Sequence, residues 1–314
     1  MRKNSIDDLS ASQLNLYESA QISKSKDDFT TAIDKLIEIY DEVQLNFINC
    51  EIVNLLFKEK RYREAKKYIL LNPDVYLLNV DNIKLFVKVF LENADFILLR
   101  KTVTSFNDEK LKHEIFNEIN VYELNYEKQF HDSLQSKVRE FAHLGNYEFF
   151  KQKEILEASM KLPLDYFVKY GKYLLIDPFV HPLIKSSIVD TFREVNFKEI
   201  VSEYFIDGNV KKIKIANLKK LEETKSFKMI ILKIDNSRLS KDPINKTMFL
   251  QYIKLNFMII YPFNDILIKN INLWFEYFYN NFIGETFCAD NDERNKINAM
   301  GTLILSIYSK ILNV

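Results

Sequence analysis

Residues 29–36 read Phe-Thr-Thr-Ala-Ile-Asp-Lys-Leu, residues 62–69 read Tyr-Arg-Glu-Ala-Lys-Lys-Tyr-Ile, and residues 96–103 read Phe-Ile-Leu-Leu-Arg-Lys-Thr-Val. All three share the spacing aromatic-x-x-apolar-x-x-x-aliphatic: Phe29, Ala32 and Leu36, then Tyr62, Ala65 and Ile69, then Phe96, Leu99 and Val103. The copies are 33 and 34 residues apart. Self-similarity at such a period is the mark of a helical repeat array. Each copy opens a helix after a polar connection: Lys26-Asp27-Asp28, Glu59-Lys60-Arg61 and Asn93-Ala94-Asp95. A second helical segment precedes it, clearest in Ile52-Val53-Leu55-Leu56 and Leu85-Phe86-Val89-Phe90. The unit is therefore helix–turn–helix. One such pair cannot bury both its faces, whereas stacked pairs can. A fourth copy is expected at Gly145-Asn146-Tyr147 with Phe150, after an inserted helix around Asp108 to Asn117.

These residues resemble a tetratricopeptide repeat (TPR) over roughly residues 10 to 160. The family's second helix begins with an aromatic and places an alanine three residues on, as Tyr62 and Ala65 do. Its first helix carries a large apolar pair four residues apart, as in Ile52 and Leu56 or Phe86 and Phe90. Asn72-Pro73 stands about four residues earlier than the family's terminal proline, and the small residue becomes Leu99 and Phe150 in the later copies. The resemblance implies a right-handed solenoid whose inner helices hold a peptide or protein partner in a concave groove. Carried over through the aligned copies, the groove positions are Tyr17 and Gln21, then Phe47, Cys50 and Asn54, then Lys84 and Lys88. Asn54, Lys84 and Lys88 suit a carboxylate or acidic segment, through charge-assisted hydrogen bonds. The family's two-carboxylate clamp is not reproduced, because Cys50 stands where its lysine would be.

Composition agrees with helices. The 314 residues include 5 Gly and 6 Pro, against roughly 22 and 16 for an average chain of this length. A sheet-rich fold needs more glycine for its turns, and no cluster forms a phosphate-binding loop. The 44 basic and 44 acidic side chains cancel, which excludes a chain that grips nucleic acid over its whole surface. Cys50 and Cys288 cannot build a disulfide framework and are expected to be buried small hydrophobes of a reducing compartment. Arg2 and Lys3 are followed by Asp7 and Asp8 rather than an apolar signal core, and no eighteen-residue apolar run exists. The expected location is the cytoplasm, without a membrane partner.

Beyond residue 160 the pattern changes. Tyr166–Ile176 and Pro182–Val195 read as a helix pair. Ile200–Ile206 and Val210–Ile215 then flank Asp207-Gly208-Asn209 as a β-hairpin. Helices resume over Asn217–Ile234, Lys246–Tyr261, Asn264–Phe282 and Asp292–Leu312, with the aromatic run from Trp274 to Phe282 buried in a cap. Asp177-Pro178 with His181-Pro182-Leu183-Ile184-Lys185, the hairpin and Tyr261-Pro262-Phe263 resemble an uncharacterised family of TPR-like proteins from Gram-positive bacteria. That resemblance implies an architecture and no activity.

Catalytic and metal motifs are absent from the sequence. His113-Glu114 lacks a second histidine four residues on, and His131 and His143 stand twelve apart. Asp290-Asn291-Asp292-Glu293 lacks the glycine and distal glutamate of a calcium loop and suits a helix cap. Residues 210–233 are rich in lysine: eight lysines from Lys211 to Lys233 face Glu222 and Glu223, a net of +6. A basic hairpin with Lys211, Lys212 and Lys214 could sit on a phosphate backbone, though such an edge also blocks strand-to-strand aggregation.

The expectation is an all-α protein: a TPR-like right-handed solenoid over residues 1–160 and a helical domain over 161–314 containing one β-hairpin near 200–215. Its expected role is a non-catalytic adaptor or scaffold for a protein or peptide, with no cofactor, metal or small-molecule substrate. The alternative is an RNA- or ribosome-associated protein acting through the lysine hairpin.

Overall fold

The computed structural model describes residues 5–312. Helices account for 75% of the chain, and the one sheet among the described residues has two strands, so the fold is all-α. Contacts divide the chain into two compact units, Met1–Tyr126 and Glu127–Val314. Residue 160 falls inside the second unit.

The first unit holds α1 (Ala11–Ser25), α2 (Phe29–Val43), α3 (Asn46–Lys58), α4 (Tyr62–Leu71), α5 (Val80–Glu92), α6 (Phe96–Thr104) and most of α7 (Glu109–Gln129). Three-residue connections join α1 to α2, α3 to α4 and α5 to α6. In each, the residue two positions before the aromatic is left-handed: Asp27 and Lys60 at φ 58°, Ala94 at φ 55°. The next amide donates back to a carbonyl five residues earlier: Asp28 to Ser23 (3.0 Å), Arg61 to Leu56 (2.9 Å) and Asp95 to Phe90 (3.0 Å). The left-handed residue's own amide donates to a carbonyl three residues back, at Lys24, Phe57 and Leu91. These paired bonds cap the orphan carbonyls of the first helix and reverse the chain. The repeat seen in side chains is thus also a repeat of one backbone turn.

Ala32, Ala65, Leu36, Ile69, Leu99 and Val103 are all fully buried, as their spacing predicts. The odd-numbered helices touch one another through Tyr17 on Phe47 and Asn82 on Cys50. The even-numbered ones do so through Tyr40 on Tyr68 and the Lys66–Asp95 ion pair. Two layers result. Asn49, buried between them, gives its amide to the Tyr68 carbonyl and accepts the Tyr76 hydroxyl at 2.6 Å, so no polar atom there is wasted. The expected insertion is the longer α7. Arg100 clamps it to α6 with two bonds to Glu123 (3.1 and 2.7 Å) and one to Asn120.

The second unit contains α8 (His131–Ala142), α9 (Phe149–Ser159), α10 (Leu164–Ile176) and α11 (Pro182–Glu194), then strands β1 (Ile200–Tyr204) and β2 (Val210–Lys214). After these come α12 (Lys225–Asp235), α13 (Pro243–Ile260), α14 (Asn264–Leu267), α15 (Ile271–Ile283) and α16 (Asp292–Leu312). Gly171 lets α10 meet α11, since a Cβ there would lie 2.8 Å from the Phe192 ring. In the hairpin, Gly208 takes φ 80° and Val201 pairs with Ile213, both buried. Phe249 is enclosed by the rings of Phe275, Tyr279 and Phe282, and Trp274, Tyr277 and Phe278 are buried, as the aromatic run predicts. Asp265 caps α12 by accepting from the Lys225 and Ser226 amides and the Ser226 hydroxyl.

Several expectations need correction. Tyr147 does not open a helix: its backbone is extended, α9 starts at Phe149, and the preceding residues form a 3-10 turn without a left-handed residue. The fourth copy therefore lacks the turn that defines the other three. The helix expected from Asn217 begins only at Lys225, because 3-10 turns occupy Ile215–Asn217 and Leu221–Glu223. The helix expected over 264–282 breaks at residues 268–270, where Asn270 caps α15 instead. Cys50 is half-buried and Cys288 is exposed, in the connection before α16.

A left-handed lysine carries a steric cost that glycine escapes, roughly 1–2 kcal/mol before glycine's entropy is charged. Lys60 is exposed, so Lys60→Gly should stabilise the protein by about 1 kcal/mol and Lys60→Val should destabilise it. Urea denaturation measures both; equal stability of the three proteins would mean that the turn is not under this constraint.

Candidate functional site

The sequence-predicted groove positions lie on the odd-numbered helices: Tyr17 and Gln21 on α1, Phe47, Cys50 and Asn54 on α3, Lys84 and Lys88 on α5. The structure brings one subset together. Tyr17 meets Phe47 edge-on with ring centroids 5.8 Å apart. Gln21 donates to Glu51 at 2.8 Å, and Lys24 pairs with Glu51 at 3.0 Å. Burial and the Glu51 charge raise the Tyr17 pKa. Glu51, which the sequence reading passed over, is thus the hub of this cluster. It stands four residues after Phe47 on the same helical face, a spacing that would have exposed it.

Asn54 is exposed and donates to the Cys50 carbonyl of its own helix at 2.9 Å. Lys84 and Lys88 are exposed, one helical turn apart, and form no ion pair among the described residues. No hydrogen bond joins them to Asn54.

The hairpin lysines divide between two faces, as strand alternation requires. Lys212 and Lys214 are exposed on the outer face. Lys211 lies opposite Glu203, pairs with Asp207 at 2.7 Å, and rests 3.8 Å from the Phe205 ring centroid. It is partly buried and engaged by Asp207 and Phe205.

The second unit also contains a cavity of about 570 Å³ that no sequence motif announced. Its wall is built by the segment entering α9, the 178–182 connection, the first turn of α11 and the hairpin end at 204–208. Gln152 holds these segments together. It donates to the carbonyls of Tyr147 (2.9 Å) and Phe179 (3.0 Å) and accepts the His181 amide at 2.9 Å. His181 caps α11 by accepting the Leu183 amide, as its turn position predicts, and stacks near Phe149.

Lys185 lies at the cavity wall and is 2% exposed; Glu203, also 2% exposed, sits on the inner hairpin face beside Val201. The Lys185 ammonium donates to the Tyr204 carbonyl at 2.8 Å, lies 5.3 Å from the Tyr204 ring centroid, and forms no ion pair among the described residues. One Glu203 carboxyl oxygen is buried with no hydrogen-bond partner. Burial pulls Lys185 down to about 8, against the opposing fields of Glu203 and Asp177. Burial likewise lifts Glu203 to about 8, against Lys185 and Lys211. Two ionisable groups are therefore held where desolvation outweighs their mutual attraction. Pattern offered a faint signal: Lys185 stands three and four residues before Ile188 and Val189 on an apolar helix face, and Glu203 alternates with Val201 and Phe205.

Compared with protein-family models, curated proteins and solved structures, the chain has no match in any of the three. No group of histidine, cysteine and acidic side chains that would hold a metal ion occurs among the described residues, and no described helix is long and apolar enough to cross a membrane.

The buried pair sets a pH signature. Between its ordinary 4.5 and about 8, Glu203 is protonated when folded and ionised when unfolded, so its contribution makes stability fall as pH rises. Lys185 acts oppositely between about 8 and its ordinary 10.5, where the unfolded chain binds the extra proton and stability rises with pH. Glu203→Gln should therefore gain stability relative to wild type as pH goes from about 5 to 8. Denaturant midpoints across that range test it; parallel curves for the two proteins would contradict the assignment.

Proposed function

We propose that α1 to α6 form a TPR-like, right-handed solenoid whose inner layer, α1, α3 and α5, holds a peptide or protein partner, so that the protein works as a non-catalytic adaptor or scaffold. The observation that carries this reading is the left-handed turn at Asp27, Lys60 and Ala94, recurring at the period of the side-chain repeat. A constant turn sets each even-numbered helix in the same way against the odd-numbered one before it, which makes each pair a like unit for stacking into one continuous surface. On that surface Lys84 and Lys88 are exposed cations without an ion pair among the described residues and Asn54 is an exposed amide, a set suited to an acidic segment or a chain-terminal carboxylate. Tyr17, Phe47 and Gln21 supply a neighbouring aromatic and amide edge. Nucleic-acid binding through the lysine-rich stretch 210–233 has weaker support: of the three hairpin lysines Lys211 is engaged by Asp207 and Phe205, while Lys212, Lys214, Lys219, Lys220, Lys225, Lys228 and Lys233 are exposed, with no arginine among them.

Affinity capture from a lysate of the source cells tests the groove. The combined variant Asn54→Ala, Lys84→Glu, Lys88→Glu should lose a partner that wild type retains, with binding weakened about tenfold or more. Its melting temperature should stay close to wild type because all three positions are exposed. Undiminished capture by the folded variant would remove the groove assignment.

A further inference from the structure

The cavity in the second unit has three features that a structural role does not require. Its Lys185 ammonium carries three donors; one meets the Tyr204 carbonyl, and the ammonium lies over the Tyr204 ring at 5.3 Å from its centroid. The buried amine forms no ion pair among the described residues, and burial holds the Glu203 carboxyl well above the usual carboxylate range, which leaves the positive charge poorly matched. The rings at the cavity lip face water: Tyr147 is 43%, Phe150 52% and Phe179 76% exposed. A buried cation with no counter-charge in an ion pair and unsheltered aromatics both cost stability in the empty protein, and one kind of ligand would relieve both.

We propose that this cavity binds a small organic monoacid, its carboxylate on the Lys185 ammonium and its aromatic or apolar body against Tyr147, Phe150 and Phe179. The charge count selects a monoanion. Lys185 is the one cationic side chain lining the cavity among the described residues, and Glu148 at the wall opposes a second negative charge. The α11 amides add no anion site, because Leu183 donates to the His181 ring and Ile184 and Lys185 donate to the His181 carbonyl. A phosphate would find too few donors here. The volume of about 570 Å³ accommodates a ring with a short side chain. This site is independent of the groove of the first unit.

Calorimetric titration of the full-length protein with phenylacetate, hydrocinnamate and naphthoate, each beside its neutral primary amide, tests the assignment. At least one acid should bind saturably with one site per chain, and its amide about tenfold or more weaker. Lys185→Met, combined with Glu203→Gln so that no buried carboxylate is left behind, should weaken the acid by a similar factor. Should that variant fail to fold, Phe150→Ala combined with Phe179→Ala, at exposed positions, should weaken the acid instead. Lys84→Glu with Lys88→Glu should leave acid binding unchanged. No binding by any acid, equal binding of acid and amide, or indifference to the cavity substitutions would overturn the proposal.

Discussion

The first unit depends on how a helix ends. After Ser25, Lys58 and Glu92 the chain must reverse within three residues, or the apolar face of the following helix would point into water. The reversal is made by one residue in the left-handed region and two backbone hydrogen bonds that return to the helix just finished. Everything above it follows. With the turn fixed, the aromatic that opens the second helix and the small or aliphatic residue three positions on always face the same way, and Ala32, Ala65 and Leu99 are sealed in the core. The side chains at the turn are Asp, Lys and Ala rather than glycine, so packing of the helix pair sustains a conformation that these residues disfavour.

The second unit follows other rules. The same left-handed turn recurs once among its described residues, at Asn196 after α11, where it leads into a strand; its helices otherwise break at 3-10 segments, and a hairpin is packed with a carboxyl on its buried face. Most polar groups there are used economically: Gln152 serves three backbone partners, and Asp265 accepts from two amides and a hydroxyl. Against that background Lys185 and Glu203 stand out as a buried lysine and a buried carboxyl, the latter with one oxygen that no partner meets, as is also true of the Tyr252 hydroxyl and an amide oxygen each of Asn256 and Asn264. Departures from local consistency concentrate where a protein does something other than fold, and here the departure borders the cavity.

What the sequence made legible was whatever depends on spacing. The helix pairs of the first unit, the hairpin between Ile200 and Lys214, the buried aromatic run around Trp274 and the turn at His181 were all readable from periodicity and turn chemistry. Tyr147 was misplaced because an aromatic after Gly-Asn imitates the repeat, while the missing left-handed turn leaves no trace in side-chain spacing. That Lys211 shares the face of Ile213 and engages Phe205, while Lys212 and Lys214 do not, was hidden in the sequence by a run of lysines that masks strand alternation. The Lys185–Glu203 site was illegible for a further reason. It joins residues from a helix, a strand and two connections through long-range packing, and no local motif records such a meeting.

The claim that reaches furthest is that the odd-numbered helices present the partner-binding face. Site-specific photocrosslinking tests it directly: a photoreactive residue placed at Lys88 on α5 is compared with one at Lys67, exposed on α4 of the other layer. The account predicts a discrete crosslinked partner from Lys88 and none from Lys67. A partner captured equally from both positions, or from Lys67 alone, would contradict it.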